Sequence, residues 1–261
     1  MIIVKDVGEG NIEDVFRVCS HSRLDDPLQR KGMEMKRAWL LRMLEEHGPC
    51  TKIAYLDGRP VAQILFYPEE AVPFIPDPRQ GAVVLNCAYN PFPEAWGKGA
   101  ASSLVKDLAE EARTGLKCLR GAPCSFIAAK PFETGEGFSM TEFYRRCGFS
   151  RADSEMYMEI SGEYRPRGET AYEPLDEDRG KAIMFYDPIC EWGYGFAVRV
   201  RDLIHSVEPG YPFEMIDPWE RPEESARRGN QQLIVNGHVM QSFWTDREGF
   251  RKEAEEAIRG S

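Results

Sequence analysis

The sequence predicts an α/β (α+β) protein in two parts, a larger domain with a mixed β-sheet followed by a smaller α/β domain. Three observations lead to this prediction. A short apolar run at 82–89 precedes a glycine-rich turn and an amphipathic helix, which is the pattern of a strand leading into a helix. Asp57-Gly58 and Asn236-Gly237 each separate two apolar segments, as tight hairpins do. The polar segment 163–179 has no apolar period and is predicted to link the two domains.

Composition is typical of a globular protein and argues against some partners. With 261 residues, 42% of them hydrophobic, the chain is long enough for one large or two ordinary domains. The formal net charge of −10 argues against nucleic acid or an anionic membrane as a main partner. No apolar run approaches the roughly 20 residues of a membrane span. Residues 1–6 are expected to form a strand and not a signal peptide.

Cysteine and histidine usage gives two further expectations. The seven cysteines are an odd number without tight spacing, which predicts reduced thiols and a cytoplasmic protein. Because the chain has no Cys-x-x-Cys pair and its four histidines are scattered, no metal site is expected.

The larger domain is predicted to begin with a strand, two helices and a hairpin. Asn11 is expected to cap the first helix, and Gly48-Pro49 to end the second. The proline-rich segment 68–79 is predicted as a loop, because proline cannot donate a hydrogen bond within a sheet. In chain order, these elements are a strand at 2–7, a helix at 13–19, a polar loop at 20–31, a helix at 32–47, and strands at 51–56 and 60–67.

The segment 91–112 is the centre of the functional prediction. Gly97 and Gly99 allow a sharp turn after the strand at 82–89, and the apolar residues beyond them recur at helical spacing. The N–H groups of the first helical turn and the helix dipole then form an anion site suited to phosphate, to which Lys98 adds positive charge. A plain strand-to-helix turn is the alternative, since Gly-x-Gly alone is a weak signal.

This segment resembles motif A of the GNAT acetyltransferase superfamily, written Gln/Arg-x-x-Gly-x-Gly/Ala, which cradles the pyrophosphate of acetyl-CoA. Gly99 and Ala101 stand at its two small positions, and Trp96 stands where the family has Gln or Arg. The resemblance implies acetyl-CoA as acyl donor, held by main-chain groups of the turn and of the preceding strand. The implied cofactor-binding residues are Cys87, Ala88, Trp96, Gly97, Lys98, Gly99, Ala100, Ala101 and Ser102.

A second signature follows a strand predicted at 124–129. The segment 143–149 matches the family pattern Phe-Tyr-x-x-x-Gly-Phe, on a short helix before a last strand at 155–160. The order strand, two helices, three strands, helix, strand, helix, strand is that of the GNAT family. The resemblance implies that Tyr144 points at the cofactor sulfur and acts as general acid. We assign residues 1–162 to this GNAT-like domain.

Acetyl transfer to an amine needs a bound thioester, a stabilised oxyanion, a neutral amine and a protonated leaving group. The backbone N–H near Cys87 or Ala88 is expected to polarise the thioester carbonyl. Glu133 and Glu136 are the candidate bases, and exposed carboxylates without a catalytic role are the alternative. An ordered water or an already neutral amine would make a protein base unnecessary.

The smaller domain is predicted over 180–261 in the order βαβαββα. Its elements are strands at 181–186, 213–216, 233–235 and 238–240, and helices at 195–207, 221–226 and 246–258. This order resembles a thioredoxin-like domain, and after a GNAT domain it resembles the YoaP-like domain. Thioredoxin chemistry needs Cys-x-x-Cys, whereas this chain has Asp at 187 and Cys190, so disulfide exchange through an internal pair is excluded. Cys190 is either a reactive thiol or an inert cysteine in a degenerate domain.

Three functions fit these observations. The first is an acetyl-CoA-dependent N-acetyltransferase acting on an amine of a small molecule or peptide, with the second domain helping to form the acceptor site. The second is a non-catalytic acyl-CoA-binding regulator. The third is a thiol-handling or peptide-binding module based on the thioredoxin-like domain. The glycine turn together with Tyr144 favours the enzyme, while the acceptor and the oligomeric state are left open.

Overall fold

The computed structural model describes residues 1–132, 139–168, 170–243 and 245–260. Its contacts divide the chain into two compact units. Unit 1 comprises Met1–Leu24, Arg37–Val72 and Asp77–Arg167, and unit 2 comprises Asp25–Lys36, Pro73–Pro76 and Gly168–Ser261. The predicted mixed α/β class is confirmed, with a large mixed sheet in unit 1. Among the described residues, no helix combines the length and the apolar character needed to cross a membrane.

Unit 1 is built on a seven-stranded sheet. The elements of this part of the chain are β1 (Ile2–Asp6), α1 (Glu13–Cys19), α2 (Pro27–Glu46), β2 (Thr51–Leu56), β3 (Arg59–Pro68), β4 (Ala82–Tyr89), α3 (Ala100–Thr114), β5 (Phe126–Ala129), α4 (Met140–Arg146), β6 (Ser150–Ala152) and β7 (Glu155–Glu159). The strand order is β1-β2-β3-β4-β5-β7-β6, and among the described strands of this sheet only β4 and β5 run parallel.

The predicted order of elements is confirmed in unit 1, with β6 added as a short edge strand. The hairpin between β2 and β3 turns at the predicted pair. Asp57 and Gly58 have φ values of +50° and +83°, which are the positive values that a type I′ turn requires at both central residues. Three residues of β6 are too few to leave a readable alternation in the sequence.

Helices cover both faces of this sheet, which explains why most of β2 and β3 is buried. Gln63 of β3 donates its side-chain amide to the sulfur of Cys19 in α1. Lys52 of β2 lies opposite Ile64, the next residue of β3, and its ammonium meets carboxylates of α3. Neighbouring residues of a strand point to opposite faces, so α1 and α3 lie on opposite faces of the sheet.

Helix α2 begins at Pro27, earlier than the start predicted at 32, so the predicted loop 20–31 is partly helical. Asp26 Oδ1 accepts the N–H groups of Leu28 and Gln29 at 2.9 and 3.2 Å, as a capping residue does. Proline suits the first helical position because its missing N–H has no intrahelical acceptor there. The Asp-Pro pair is therefore the start signal that apolar spacing alone missed.

Unit 2 carries a four-stranded sheet in the order β11-β10-β8-β9, with β8 and β9 parallel. Its elements are β8 (Ala182–Phe185), α5 (Gly193–Val207), β9 (Phe213–Ile216), α6 (Pro222–Ala226), β10 (Leu233–Val235), β11 (His238–Val239) and α7 (Arg247–Arg259). The predicted order βαβαββα is found. Ala182 and Met184 of β8 join the core formed with α5 and α7, whereas Ile183 and Phe185 join a second core. Alternate burial on two faces explains why all of β8 is apolar.

The polar segment 163–179 is held by ion pairs near both of its ends. In unit 1, the Arg167 guanidinium lies 3.0 Å from the buried Glu69 carboxylate. In unit 2, the fully buried Asp178 accepts from Arg228 at 2.6 Å. The charge run at 176–178 therefore contains a carboxylate that serves as a packing anchor. The domain boundaries at 162 and 180 stay a prediction.

Within unit 2, two glycines allow helices to touch the loop that follows β8. A Cβ at Gly32 of α2 would lie 1.9 Å from the carbonyl oxygen of Glu191, and a Cβ at Gly193 of α5 would lie 2.0 Å from that of Asp187. One turn beyond Gly32, the buried Lys36 ammonium lies 3.0 Å from the buried Glu191 carboxylate. These contacts require glycine because backbone atoms occupy the place of a side chain.

We expect Gly32→Ala to lower the free energy of unfolding by about 1–3 kcal/mol, because the methyl group meets a backbone oxygen. Helix propensity alone predicts a gain of roughly 1 kcal/mol instead. Urea unfolding followed by circular dichroism measures the difference. Gly10→Ala is the matched control, since a Cβ there meets nothing within 4 Å. Equal effects of the two substitutions, or a more stable Gly32→Ala protein, would contradict the close contact.

Candidate functional site

The candidate site in unit 1 is the gap that opens between β4 and β5. The two strands pair in parallel only over 82–84 of β4. Strand β5 ends at Ala129, whereas β4 continues to Tyr89 and keeps its pairing with β3 that far. From Leu85 onward, the edge of β4 on the β5 side therefore has no strand partner in the described part of the chain. A strand edge of this kind is where an extended ligand can add as a further strand.

A β-bulge lies at the point where β4 leaves β5. Leu65 of β3 is opposite Cys87 and Phe66 is opposite Leu85, so Asn86 is the extra residue. Bulges bend a strand and increase its twist, which turns β4 away from its parallel neighbour. The Tyr67 hydroxyl donates to Asn86 Oδ1 at 3.1 Å, which orients the amide and leaves its N–H groups as donors. The role of Asn86 at the bulge was not predicted from the sequence. The only indication was that a polar residue stands inside an apolar run.

Beyond the gap, β4 leads through a 3₁₀ turn at Pro93–Ala95 into the predicted glycine turn. Gly97 and Gly99 have φ values of +70° and +83°, in the left-handed region that favours glycine. Gly99 is the N-cap of α3, and the Ser103 N–H donates to its carbonyl oxygen at 2.8 Å. The N–H groups before Ser103 have no helical acceptor, so with the helix dipole they are the groups that the predicted anion cradle would use.

Small residues keep the space at this turn open, as the motif predicts. A Cβ at Gly97 would meet no protein atom within 4 Å, and Ala100 and Ala101 start the helix with short side chains. Lys98 and Ser102 are exposed on either side of the turn. The predicted residues 97–102 thus lie together at the start of α3, where Gly97, Lys98 and Ser102 form exposed surface and Ala100 is buried. Such a surface can bind a phosphate group through main-chain N–H donors.

Tyr144 of α4 is buried, with 2% of its surface exposed. Burial raises the pKa of its phenol well above the usual value, and the neighbouring thiols of Cys87 and Cys147 add to the rise. Two residues that the sequence predicted for the site, Tyr144 and Cys87 of β4, therefore lie close together. No described residue hydrogen-bonds with the Tyr144 hydroxyl, so a neutral phenol is available as a donor.

The remaining predicted residues lie elsewhere or outside the described residues. Glu133 and Glu136 lie outside the described residues. Cys190 is half-buried before α5 in unit 2, where its carbonyl accepts the Gly193 N–H at 2.8 Å. Asp187, at the first-cysteine position of the thioredoxin pattern, accepts the Ile189 N–H at 3.1 Å. Burial raises the pKa of Asp187 to about 6.

Helix α3, which carries the cradle, is fixed to the sheet by a buried ammonium. Lys52 is 1% exposed and lies 2.7, 2.8 and 2.9 Å from the carboxylates of Asp6, Asp107 and Glu111. Burial alone would lower the pKa of Lys52, but its hydrogen bonds to these carboxylates raise it above the usual value. Asp107 and Glu111 lie one turn apart on α3, so the two ion pairs fix the orientation of the helix axis relative to β2.

Comparison with known proteins gives structural neighbours only. No protein-family model matches the sequence, and no curated protein matches it. A GNAT family acetyltransferase from Brucella melitensis, solved with acetyl-CoA, is 19% identical over 66% of this chain and 96% of that chain, with a TM-score of 0.43. An N-acetyltransferase from Staphylococcus aureus Mu50 is 13% identical over 61% of this chain and 98% of that chain, with a TM-score of 0.45. The Escherichia coli ribosomal-protein-S18-alanine N-acetyltransferase is 13% identical over 66% of this chain and 100% of that chain, with a TM-score of 0.41. At these identities and scores, the likenesses carry no argument about activity.

Lys52→Met tests how α3 is held. We expect a loss of about 2–3 kcal/mol in the free energy of unfolding at pH 7, less than the roughly 3–5 of a fully buried pair. The expected loss of stability is smaller because Asp107 and Glu111 are 38% and 37% exposed, so water can solvate their carboxylates in the variant. The pKa of Asp6 is lowered in the folded protein, so its stabilising contribution is lost as the pH falls through that lowered value. The deficit of the variant should therefore shrink in acid.

Urea unfolding of both proteins between pH 3 and 7 measures this deficit. Lys106→Met is the control, because Lys106 lies on the same helix and is 76% exposed. A deficit that stays constant with pH, or that the control reproduces, would contradict the role of the buried ammonium.

Proposed function

We propose that this chain is an acetyl-CoA-dependent N-acetyltransferase of the GNAT type, acting on an amine of a small molecule or peptide. One observation supports the proposal above the others. The gap between β4 and β5 leads directly into the glycine turn of α3, and Tyr144 lies beside Cys87 within the same unit. A strand edge, a helix N-terminus suited to phosphate and a buried phenol thus occur in one unit, and acetyl transfer from acyl-CoA would use all three.

The donor would bind along this path. Main-chain N–H groups at 97 and 99–102 would hold the diphosphate, with the Lys98 side chain adding charge, since the Lys98 N–H already donates to the Ala95 carbonyl at 3.3 Å. The pantetheine arm carries amide groups that can pair with the edge of β4 beyond Val84 as an added strand would. This pairing brings the thioester to Cys87 and Ala88, where a backbone N–H would polarise the carbonyl. The Asn86 amide at the bulge is a further donor for the same oxygen.

The reaction that follows is nucleophilic substitution at the thioester carbonyl. The amine nitrogen forms a bond to the carbonyl carbon, and the carbonyl electron pair moves to oxygen. Collapse of this intermediate breaks the carbon–sulfur bond, and the amine nitrogen loses a proton. Tyr144 donates its phenol proton to the sulfur, or shares it in a hydrogen bond, and is reprotonated from the proton released by nitrogen. The products are an amide and the free thiol of CoA.

The raised pKa of Tyr144 limits how far this residue can protonate the leaving thiolate. A thiol has a pKa near 8.5, below the ordinary phenol value of about 10. Since burial raises the pKa of Tyr144 further, complete transfer to the thiolate is uphill. The phenol therefore acts mainly as a hydrogen-bond donor that stabilises the developing thiolate. Main-chain donors on β4 carry the larger share of the catalysis.

For unit 2 we infer a thioredoxin-like, YoaP-like fold that contributes to the choice of acceptor. The order βαβαββα and the parallel pairing of β8 with β9 support the fold. Asp187 in place of a first cysteine argues against disulfide exchange and leaves recognition as the role. The net charge of −10 favours cationic acceptors such as polyamines or lysine-bearing peptides. A cytoplasmic location stays a prediction.

Acetyl-CoA binding and turnover test the proposed function. Isothermal titration calorimetry should show binding to the wild-type protein, and a thiol-detecting assay should show CoA release with members of an amine panel. Gly99→Leu should abolish binding, because a side chain then covers the cradle. Gly121→Leu is the matched control: its φ of +78° is close to the +83° of Gly99, and a Cβ there meets nothing within 4 Å, while a Cβ at Gly99 makes only an ordinary contact of 3.6 Å with the Ser102 hydroxyl.

The two leucine variants carry similar backbone strain of about 1–3 kcal/mol, so only the cradle distinguishes them. Loss of binding in Gly99→Leu alone supports the site. Unchanged affinity in Gly99→Leu places the cradle elsewhere. Binding without CoA release across the whole panel would favour the regulator, and absence of acetyl-CoA binding in the wild-type protein would end the proposal.

Tyr144→Phe should lower turnover by about 10²-fold, the low end of general-acid effects, with little change in acetyl-CoA affinity. The ring keeps its packing and only the hydroxyl is lost. Because burial keeps the phenol protonated, turnover of the wild-type protein should not fall between pH 7 and 9. It should rise there as the amine acceptor loses its proton. Steady-state kinetics and calorimetry check both parts.

Cys147→Ala is a matched control, because it removes a neighbouring thiol and leaves the phenol in place. Full turnover in Tyr144→Phe would end the assignment of Tyr144 as a donor. A joint loss of binding and turnover would make Tyr144 a wall of the cofactor slot.

A further inference from the structure

Trp96 lies directly before the glycine turn, and its side chain is 61% exposed. Among the described residues, no aromatic ring or cation packs on its indole. A large apolar ring left in water forgoes most of the free energy that its burial would release. It is also the residue that departs from the Gln or Arg of the motif.

The ring is exposed but not loosely attached. Its Nε1–H donates to the carbonyl oxygen of Asn90 at 3.0 Å, and its backbone N–H donates to that of Pro93 at 3.1 Å. The indole's one polar group is therefore already satisfied, and its orientation is restricted before any ligand arrives. What remains for a partner is the face of a fixed aromatic ring, which binds flat aromatic groups by stacking.

We propose that Trp96 is the platform on which the adenine ring of the acyl-CoA donor stacks. This inference rests on the proposed function, since it takes residues 97–102 as the diphosphate cradle. Trp96 adjoins that cradle in the chain, and the adenine of CoA is joined to the diphosphate through one ribose. Lys98, exposed in the same turn, leaves the local charge favourable for a phosphate-bearing nucleotide.

This arrangement determines the class of donor. Acyl groups occur both on free CoA and on the phosphopantetheine arm of carrier proteins, and the two share the thioester, the pantetheine and a phosphate. Only CoA has the adenine nucleotide. A stacking residue at position 96 adds affinity for CoA alone, whereas the Gln or Arg of the motif would address phosphate, which both donors carry. The donor is therefore free acyl-CoA and not an acylated carrier protein.

The test compares two ligands on three proteins by calorimetry. The ligands are acetyl-CoA and acetyl-4′-phosphopantetheine, and the proteins are wild type, Trp96→Ala and Trp96→Phe. Base–aromatic stacking corresponds to roughly a 5- to 150-fold effect on affinity. We expect Trp96→Ala to weaken acetyl-CoA binding by about tenfold or more, to leave acetyl-4′-phosphopantetheine binding unchanged, and Trp96→Phe to retain most of the affinity. Quenching of indole fluorescence by acetyl-CoA should be lost in Trp96→Phe.

Each other outcome overturns the inference. If Trp96→Ala weakens both ligands equally, Trp96 shapes the turn and does not contact adenine. If it weakens neither ligand, the ring has no role in donor binding. If the wild-type protein binds neither ligand, the proposed function fails together with the inference. Thermal unfolding of Trp96→Ala close to that of wild type shows that a selective loss is not a folding defect.

Discussion

The parting of β4 from β5 is the constraint on which the rest of unit 1 depends. Backbone N–H and C=O groups need hydrogen-bond partners, and a central strand normally finds them on both sides. Strand β4 gives up this pairing after Val84, although it lies in the middle of the sheet. The loss is tolerable only where other hydrogen-bonding groups can take the place of β5. The same parting sets the positions of α3, which follows β4, and of α4, which follows β5. The proposed cradle therefore follows one of the two strands in the chain, and Tyr144 follows the other.

Two separate interactions keep this opening in a fixed geometry. The bulge at Asn86, with its hydrogen bond from Tyr67, fixes the point at which β4 bends. The buried Lys52 then holds α3 against the sheet through Asp107 and Glu111. The bulge would determine where the thioester of a bound donor lies. The Lys52 ion pairs would determine where its phosphate groups bind. Because the distance between them is determined by the fold, the ligand does not have to organise the site on arrival, which reduces the entropic cost of binding.

The sequence was sufficient where structure depends on neighbours in the chain and insufficient where it depends on distant partners. The turn at 97–99 and the hairpin at Asp57-Gly58 were readable because glycine reports local backbone angles directly. The bulge at Asn86 was not readable, since it is defined by its register against β3. The buried state of Asp178 was hidden for the same reason, because its partner Arg228 is 50 positions away. The start of α2 is the exception: the signal was local, in Asp26 and the proline after it, but the apolar spacing began later.

The raised pKa of Tyr144 assigns a larger part of the proposed catalysis to main-chain N–H groups. The burial that keeps the phenol neutral also makes it a weaker acid, so protonation would supply only a minor part of the rate enhancement in the proposed reaction. Oxyanion stabilisation by oriented donors in a dry site is the larger effect in acyl transfer. In the proposed mechanism those donors would be main-chain N–H groups of β4 near Cys87 and the amide of Asn86, all of which lie at the bulge. Catalysis would then depend more on the bend of β4 than on any single ionisable side chain, which fits a strand whose site residues carry no carboxylate. A substitution that straightens the bulge would remove cofactor pairing and oxyanion stabilisation at once, because both use the same stretch of backbone.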